Sequence, residues 1–216
     1  MNQDTLIRRI LKPTLLLLAT IPVALLLWDA RQGTLGEDPV KTITTVSGDW
    51  TLRLLLLTLS ITPIRRLTGW HGVIRLRRLL GLLTFGYAML HVATFVAVSH
   101  QFDLLAMFED FTDHPYLLLG VIAFLLLIPL ALTSTNAMVK RLGGKTWQKL
   151  HQLVYLAAVI GMLHYLWPLR PTIIEPLFDG LWLFALLGYR LWWTLRQPPT
   201  PNPTKRYRTI PIIKVD

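Results

Sequence analysis

The sequence predicts an all-α, polytopic membrane protein with six transmembrane helices and both termini in the cytoplasm. Its composition is apolar, since 53% of the 216 residues are hydrophobic and only 16% are charged, whereas a soluble domain carries about a quarter charged residues. The mean hydropathy is +0.48. Apolar segments recur along the whole chain, and the segments that connect them alternate in charge. Together these observations favour a membrane domain over a soluble one.

The six predicted spans approach the roughly 20 apolar residues that a transmembrane helix needs. In chain order they cover Lys12 to Trp28, Trp50 to Ile64, Leu79 to Ser99, Tyr116 to Thr133, Leu150 to Trp167 and Phe178 to Leu195. The first segment is predicted to be retained, because Trp28 and Asp29 do not fit the small-residue site of signal-peptide cleavage. The short connections predict one membrane domain, residues 1–196, and a Pro-rich basic cytoplasmic tail, residues 197–216.

Charge is distributed unevenly between the connections. The chain has 22 Lys and Arg against 12 Asp and Glu, a net charge of +10. Seventeen of the basic residues, with only two acids, lie in the N-terminal segment up to Lys12, in the 65–78 and 134–149 loops and from Arg196 to the C-terminus. The alternate loops and adjoining helix ends hold the other ten acids and only four basic residues, Arg31, Lys41, Arg53 and Arg170. This is the positive-inside pattern, so the charge indicates membrane orientation rather than nucleic-acid binding.

Cysteine is absent from the sequence. Disulfide scaffolds, Cys-ligated zinc, iron–sulfur clusters and thiol catalysis are therefore excluded, and so is the covalent attachment of a c-type haem.

Two of the six histidines lie within otherwise apolar spans and far from either end of them. His91 is 12 residues from Leu79, or about 18 Å of helical rise, and His164 is 14 residues from Leu150, or about 21 Å. The third and fifth spans, which carry these histidines, are both odd-numbered and so run in the same direction through the membrane. The two imidazoles are therefore predicted to lie at one level in its outer half. Such a pair can ligate one haem iron from both sides, and without cysteine this haem is b-type. Alternatively, the two histidines form hydrogen bonds between helices.

The remaining candidate residues lie on the predicted cytoplasmic side. His151 is placed at the inner boundary, about 19.5 Å from His164, and is either a ligand or an interfacial side chain. A second histidine at the same depth on the third span would lie near Arg77, where the sequence has none. Arg77 and Arg78 are candidates for contacts with haem propionates or an FMN phosphate, or they simply follow the positive-inside rule. The other histidines are predicted to be surface residues: His71, His100 and His114.

Several motifs identify a family. They are DPVK at 38–41, ITP at 61–63, RRLLGL at 77–82, YAMLH at 87–91, PYLLLG at 115–120, LALTSTNAM at 130–138 and KRLGGKTWQKLHQLVYLAAVIGMLHYLW at 140–167. Through them nearly the whole chain except the tail resembles the MsrQ (YedZ) family, the haem-binding membrane subunits of the bacterial protein-methionine-sulfoxide reductase system. That family belongs to the ferric-reductase-like transmembrane group, which also includes the NADPH oxidases.

The resemblance implies a function as well as a fold. It implies that His91, His151 and His164 take part in binding one or two haems b and that FMN binds to the same protein. It also implies transfer of electrons from quinol or a flavin reductase, across the bacterial inner membrane, to a periplasmic molybdenum-containing catalytic subunit that reduces methionine sulfoxide. The wider group carries two histidines on each of two helices, whereas here Arg77 stands at the inner position of the third span.

No catalytic motif appears in the predicted outer loops, and the sequence contains no nucleotide-binding motif. The chain is therefore expected to be an electron-transfer subunit without a substrate-reducing site of its own. Two alternatives remain open at this point. One is another b-type cytochrome or ferric-reductase-like subunit with a different acceptor, and the other is a transporter that uses its intramembrane histidines for protons or a metal.

Overall fold

The computed structural model describes residues 3–168 and 174–196, and these ranges form helices and short connections without any strand. The α-helices are α1 (Gln3–Leu6), α2 (Lys12–Gln32), α3 (Pro39–Thr68), α4 (Arg77–Ala93), α5 (Leu104–Asp113), α6 (Tyr116–Leu132), α7 (Asn136–Leu142), α8 (Gly144–Leu150), α9 (Leu153–Leu166) and α10 (Ile174–Arg196). The predicted all-α class is confirmed for this part of the chain. Arg170 and the predicted tail, residues 197–216, lie outside the described residues.

Each of the six apolar segments coincides with one helix, namely α2, α3, α4, α6, α9 or α10. The largest difference in extent is at α3, which begins at Pro39, 11 residues before the predicted span. Asp38 caps its first turn by accepting a hydrogen bond from the backbone N–H of Lys41 at 2.9 Å, and proline is well suited to the first helical position. The early start follows from this local cap, which hydropathy does not detect.

Length and composition qualify two stretches of the described chain as membrane-spanning helices, Ile7–Gln32 and His71–Ser99. The first joins α2 to a preceding π-helical turn, and the second joins α4 to a 3₁₀ turn before it and a π-helical turn after it. Helices α5 and α6 together meet the same criteria but are bent by 115° relative to each other. The structure thus has two candidate spans, or three if this bent pair is one span.

Two connections that the sequence analysis treated as loops are helical. The 134–149 segment forms α7 and α8, which Gly143 separates with a positive φ of 77°. The segment before α6 contains α5, where the side chain of Asp103 accepts hydrogen bonds from the N–H groups of Leu105 and Ala106. Caps of this kind stabilise short helices. The loop interpretation was wrong here because a short helix need not be apolar enough to resemble a span.

Helices α3 and α4 pack against each other, as do α6 and α9, and these two pairs are in contact to form the core. The central cluster includes Leu56 of α3 and Ala157 and Ala158 of α9, all at most 1% exposed. Small residues let helices approach closely, and in lipid this van der Waals packing is the main source of helix association. By contrast, α2 leaves Leu17 67% exposed and Leu27 63% exposed, as expected for a lipid-facing helix.

Helix α10 joins this core through polar contacts near both of its ends. Near its start, Glu175 accepts a hydrogen bond from the Arg53 guanidinium at 3.0 Å, and Trp182 donates from its indole nitrogen to Ser60 at 3.1 Å. Farther along, Arg190, the basic residue inside the sixth predicted span, places its guanidinium 4.1 Å from the centre of the Tyr155 ring. This cation–π contact stabilises an arginine that would otherwise be costly in an apolar environment.

Tyr87 anchors α2 to α4, and its replacement by phenylalanine tests this attachment. The buried hydroxyl of Tyr87 donates a hydrogen bond to the carbonyl of Ala19 at 2.5 Å. We expect Tyr87→Phe to lower the free energy of unfolding by about 1 kcal/mol, measured by denaturation in detergent micelles. Tyr189→Phe is the control, because the Tyr189 hydroxyl forms no hydrogen bond within the described residues, and equal losses in both variants would contradict the prediction.

Candidate functional site

His91 and His164 lie 73 positions apart in the sequence, but their rings are neighbours in the folded chain, where both residues are half-buried. His91 belongs to α4 and His164 to α9, and each helix has its main packing partner elsewhere, α3 for α4 and α6 for α9. The centres of the two imidazole rings are 6.1 Å apart, and the ring planes cross at 77°. The structure therefore brings together the two histidines that helical rise had placed at one level.

One ring nitrogen of each histidine is held by a backbone carbonyl of the neighbouring helix. Nδ1 of His91 is 2.9 Å from the carbonyl oxygen of Thr44 in α3, and Nδ1 of His164 is 2.8 Å from the carbonyl oxygen of Tyr116 in α6. A carbonyl can only accept, so Nδ1 carries the proton in both rings. The neutral imidazole then presents Nε2 as its basic nitrogen, which is the usual arrangement of a metal-binding histidine.

The spacing of the two rings fits one metal ion between them. Two imidazoles bound to opposite sides of a metal have ring centres about 6 Å apart, because each metal–nitrogen bond is about 2 Å and each ring centre lies about 1 Å farther out. The part of the chain that the structure describes contains no group of three or more His, Cys, Asp or Glu side chains that could hold a metal ion. A histidine pair fits a metal that brings its other ligands with it, as the iron of a haem does.

His151 lies apart from this pair, in the turn between α8 and α9. Its ring stacks on Trp147 with centres 3.8 Å apart, and its Nδ1 is 3.1 Å from the Trp147 carbonyl. The indole nitrogen of Trp147 in turn donates to the carbonyl of Thr133, just after α6, at 2.9 Å. Nε2 of His151 is buried and has no hydrogen-bond partner among the described residues. A buried, unsatisfied nitrogen of this kind requires an explanation, and a ligand is one.

Arg77 and Arg78 open α4 at the same end of the bundle as His151. Arg77 is half-buried and Arg78 is exposed, and the positive charges of both act on His151. The placement of Arg77 at the depth of His151 on the third span stays a prediction.

The three histidines expected at the surface differ from one another. His71 and His114 are exposed, whereas the side chain of His100 is only 13% exposed and its ring centre is 4.3 Å from that of Phe95. His100 and His114 both contact Asp110, at 3.2 and 2.8 Å respectively. The surface interpretation was wrong for His100, because α5 folds back over the end of the α4 stretch and covers it.

Sequence reasoning also missed the backbone groups of the central site. The carbonyls of Thr44 and Tyr116 fix both imidazoles, but a carbonyl is present at every residue and leaves no signature in the sequence. The positions become visible only from the crossing of α3 with α4 and of α6 with α9.

Comparison with known proteins assigns the family. Residues 47–162 match the family described as "Ferric reductase like transmembrane component", and these residues include His91 and His151. A relative from Herminiimonas arsenicoxydans, named "Protein-methionine-sulfoxide reductase heme-binding subunit MsrQ", is 46% identical over 195 residues, covering 89% of both chains. A protein of the same name from Azospira oryzae is 39% identical over 203 residues, covering 89% of this chain and 87% of the relative.

A third relative of that name, from Ralstonia nicotianae, is 44% identical over 182 residues and covers 83% of this chain and 84% of its own. Identities of this size extend over most of both proteins, so they concern the whole helical domain rather than one motif. The predicted family is confirmed: this membrane protein belongs to the MsrQ family within the ferric-reductase-like transmembrane group.

Proposed function

We propose that this chain is a haem b-containing electron-transfer subunit of the bacterial inner membrane. It passes electrons from the quinone pool, or from a flavin reductase, to a periplasmic molybdenum-containing methionine sulfoxide reductase, which repairs oxidised periplasmic proteins. The observation that carries this proposal is the pair of His91 and His164, with ring centres 6.1 Å apart in a chain whose relatives are named as heme-binding subunits.

His91 and His164 would supply both axial ligands of the haem. The carbonyls of Thr44 and Tyr116 fix Nδ1 of each ring, so Nε2 would be the nitrogen that binds the iron. A haem held in this way supplies a one-electron redox centre. If both histidines hold the iron, the chain would favour electron transfer over binding of oxygen.

The inner end of the bundle would form a second cofactor region. His151 would bind a second haem. This part of the proposal is supported by its Nε2, which is buried without a hydrogen-bond partner among the described residues. Arg77 and Arg78 act on it electrostatically and would neutralise haem propionates or the phosphate of FMN, for which guanidinium groups are well suited. We include FMN on the basis of the family resemblance, and these two arginines are its candidate contacts.

The proposed topology has six membrane spans and cytoplasmic termini. Two observations support this topology. Each of the six apolar segments coincides with a helix, namely α2, α3, α4, α6, α9 or α10, and Lys and Arg are in excess in alternate connections. In this orientation His91 and His164 lie in the outer half of the membrane and His151 at its inner boundary. Electrons would therefore move outward, from the inner cofactor region to the outer one.

A substrate-reducing site is assigned to the partner rather than to this chain. Reducing one methionine sulfoxide to methionine requires two electrons and two protons, and it releases water. A one-electron carrier therefore turns over twice for each sulfoxide. A ferric-reductase-like subunit with another acceptor is the second candidate, which the match to the ferric-reductase-like family favours.

Reconstitution with candidate electron acceptors tests this function. Membranes that contain the chain and the periplasmic catalytic subunit are expected to reduce methionine sulfoxide in an oxidised protein when quinol is added, and membranes without the chain are not. The catalytic subunit alone should remain active with a chemically reduced dye, which controls for its integrity. Reduction of ferric chelates in place of the sulfoxide would favour the second candidate, and a purified chain without a Soret band would favour a transporter.

A further inference from the structure

Two glycines, Gly48 in α3 and Gly120 in α6, are packed directly against the two central histidines. A Cβ atom added to Gly48 would lie 3.0 Å from Nδ1 and Cε1 of His91. A Cβ atom added to Gly120 would lie 2.9 Å from Cε1 of His164 and 3.0 Å from its Nδ1. Atoms in ordinary van der Waals contact are about 3.5–4.0 Å apart, so each imidazole occupies the space that a side chain at the glycine would take.

The same glycines stand in a fixed relation to the carbonyls that hold Nδ1. Thr44 precedes Gly48 by four residues, and Tyr116 precedes Gly120 by four residues. In an α-helix the N–H of residue i donates to the carbonyl of residue i−4, and a side chain leans back over the preceding turn. A side chain at position 48 or 120 would therefore cover the carbonyl that its own N–H engages, whereas glycine leaves that carbonyl open to a second donor.

Each carbonyl oxygen has two lone pairs and can accept from both donors. Ser47 Oγ also lies 3.0 Å from the Thr44 carbonyl, but its shorter hydrogen bond, at 2.7 Å, is to the Ile43 carbonyl. The helical N–H uses one lone pair, and the imidazole N–H approaches from the side through the gap left by the missing Cβ. The device occurs twice with the same spacing: His91 with Thr44 and Gly48, and His164 with Tyr116 and Gly120. The two examples lie on different helix pairs, so local sequence similarity does not account for the repetition.

We propose that Gly48 and Gly120 are positioning residues for the two haem ligands. Each forms a notch, defined here as a glycine with the carbonyl four residues before it, that seats an imidazole, fixes its ring plane and holds the proton on Nδ1. This inference rests on the proposed haem function. The two notches set the orientation of the rings and the hydrogen bond to each, and both properties tune a haem iron through its axial ligands.

The test compares alanine at the notches with alanine at matched glycines. Gly81 lies at the interface of α3 and α4, and Gly161 at that of α6 and α9. A Cβ atom at Gly81 would meet Thr58 at 3.9 Å, and one at Gly161 would meet Ala123 at 3.9 Å, which is ordinary contact. Gly81→Ala is therefore the control for Gly48→Ala, and Gly161→Ala is the control for Gly120→Ala.

We expect each notch variant to lose about tenfold in haem affinity, since disturbing the outer partners of a metal ligand typically costs about 10- to 100-fold. The haem that is retained should show altered low-temperature EPR g-values and a shifted midpoint potential, because the ring is displaced and its hydrogen bond is weakened. Gly81→Ala and Gly161→Ala should match wild type in haem content, spectrum and potential. Circular dichroism and gel filtration establish that each variant is folded.

Wild-type spectra and potentials in both notch variants would overturn the inference, and so would equal losses in notch and control variants. A wild-type protein without haem would instead contradict the proposed function. If the notch variants fail to fold, the test is made on the wild-type protein instead. Electron–nuclear double resonance then monitors the hydrogen–deuterium exchange of the two Nδ1 protons. Slow exchange of both protons is expected, and rapid exchange of either one would overturn the inference.

Discussion

Replacing either His91 or His164 by alanine is expected to abolish the sharp reduced α-band of the haem b that these two residues would hold in the purified protein. The centres of the two imidazole rings are 6.1 Å apart and their planes cross at 77°, and this spacing would let both rings hold one haem iron. Each substitution would remove one of the two side chains that hold the iron. Optical spectra of reduced and oxidised protein, together with haem quantitation, measure the effect.

His71→Ala is the matched control for these substitutions. Its ring is exposed and its Nδ1 is 2.7 Å from the carbonyl of Gly69 two residues earlier, so its loss should leave the α-band unchanged. Unchanged spectra in His91→Ala and His164→Ala would refute the ligand assignment. Loss of the band in only one of the two variants would mean that the second ligand comes from elsewhere in the chain.

Replacing His151 by alanine is expected to slow electron entry strongly while the haem held by His91 and His164 remains. His151 precedes His164 by 13 residues, or about 19.5 Å of helical rise. It lies just before the start of α9, where its ring packs on Trp147 of α8. We expect the rate of haem reduction by quinol to fall about tenfold or more, as when a group that holds a cofactor is removed. Stopped-flow reduction with quinol, compared with direct chemical reduction, measures this difference.

The controls separate an inner cofactor from a general structural effect. The α-band of the outer haem and the rate of its chemical reduction should be preserved in His151→Ala. Complete loss of haem in His151→Ala would contradict the hypothesis that His151 belongs to a separate, inner cofactor. An unchanged rate of haem reduction by quinol would show that His151 takes no part in electron transfer. Arg77→Gln removes a positive charge that acts on His151. It should also slow the reduction of haem by quinol, but less than His151→Ala does.

The helical class, the family and the pairing of the central histidines could all be anticipated from the sequence. Apolar composition and recurring apolar segments lead to helices, because in lipid a chain must satisfy its backbone hydrogen bonds internally. Counting helical rise from Leu79 and Leu150 placed His91 and His164 at one level, and their rings do meet in the structure. Depth is a local property of each helix, so it could be counted without knowledge of the packing.

Other features could not be anticipated. Helices α5, α7 and α8 were interpreted as loops, since their short segments lack the length that distinguishes a span. His100 was placed at the surface, but α5 covers it and Asp110 contacts it at 3.2 Å. These features depend on how short segments fold against the longer helices, for example on the bend between α5 and α6. The periodicity of apolar residues in the sequence does not predict such bends.

By itself, the sequence determined that this protein is helical, belongs to the membrane and carries two histidines at one depth. Only the tertiary structure decided how those histidines are held. Their Nδ1 atoms contact the carbonyls of Thr44 and Tyr116 across helix interfaces, beside Gly48 and Gly120. The physical reason is that hydropathy and helical rise act along one helix, whereas a backbone carbonyl becomes a specific partner only when two helices cross closely enough to expose it.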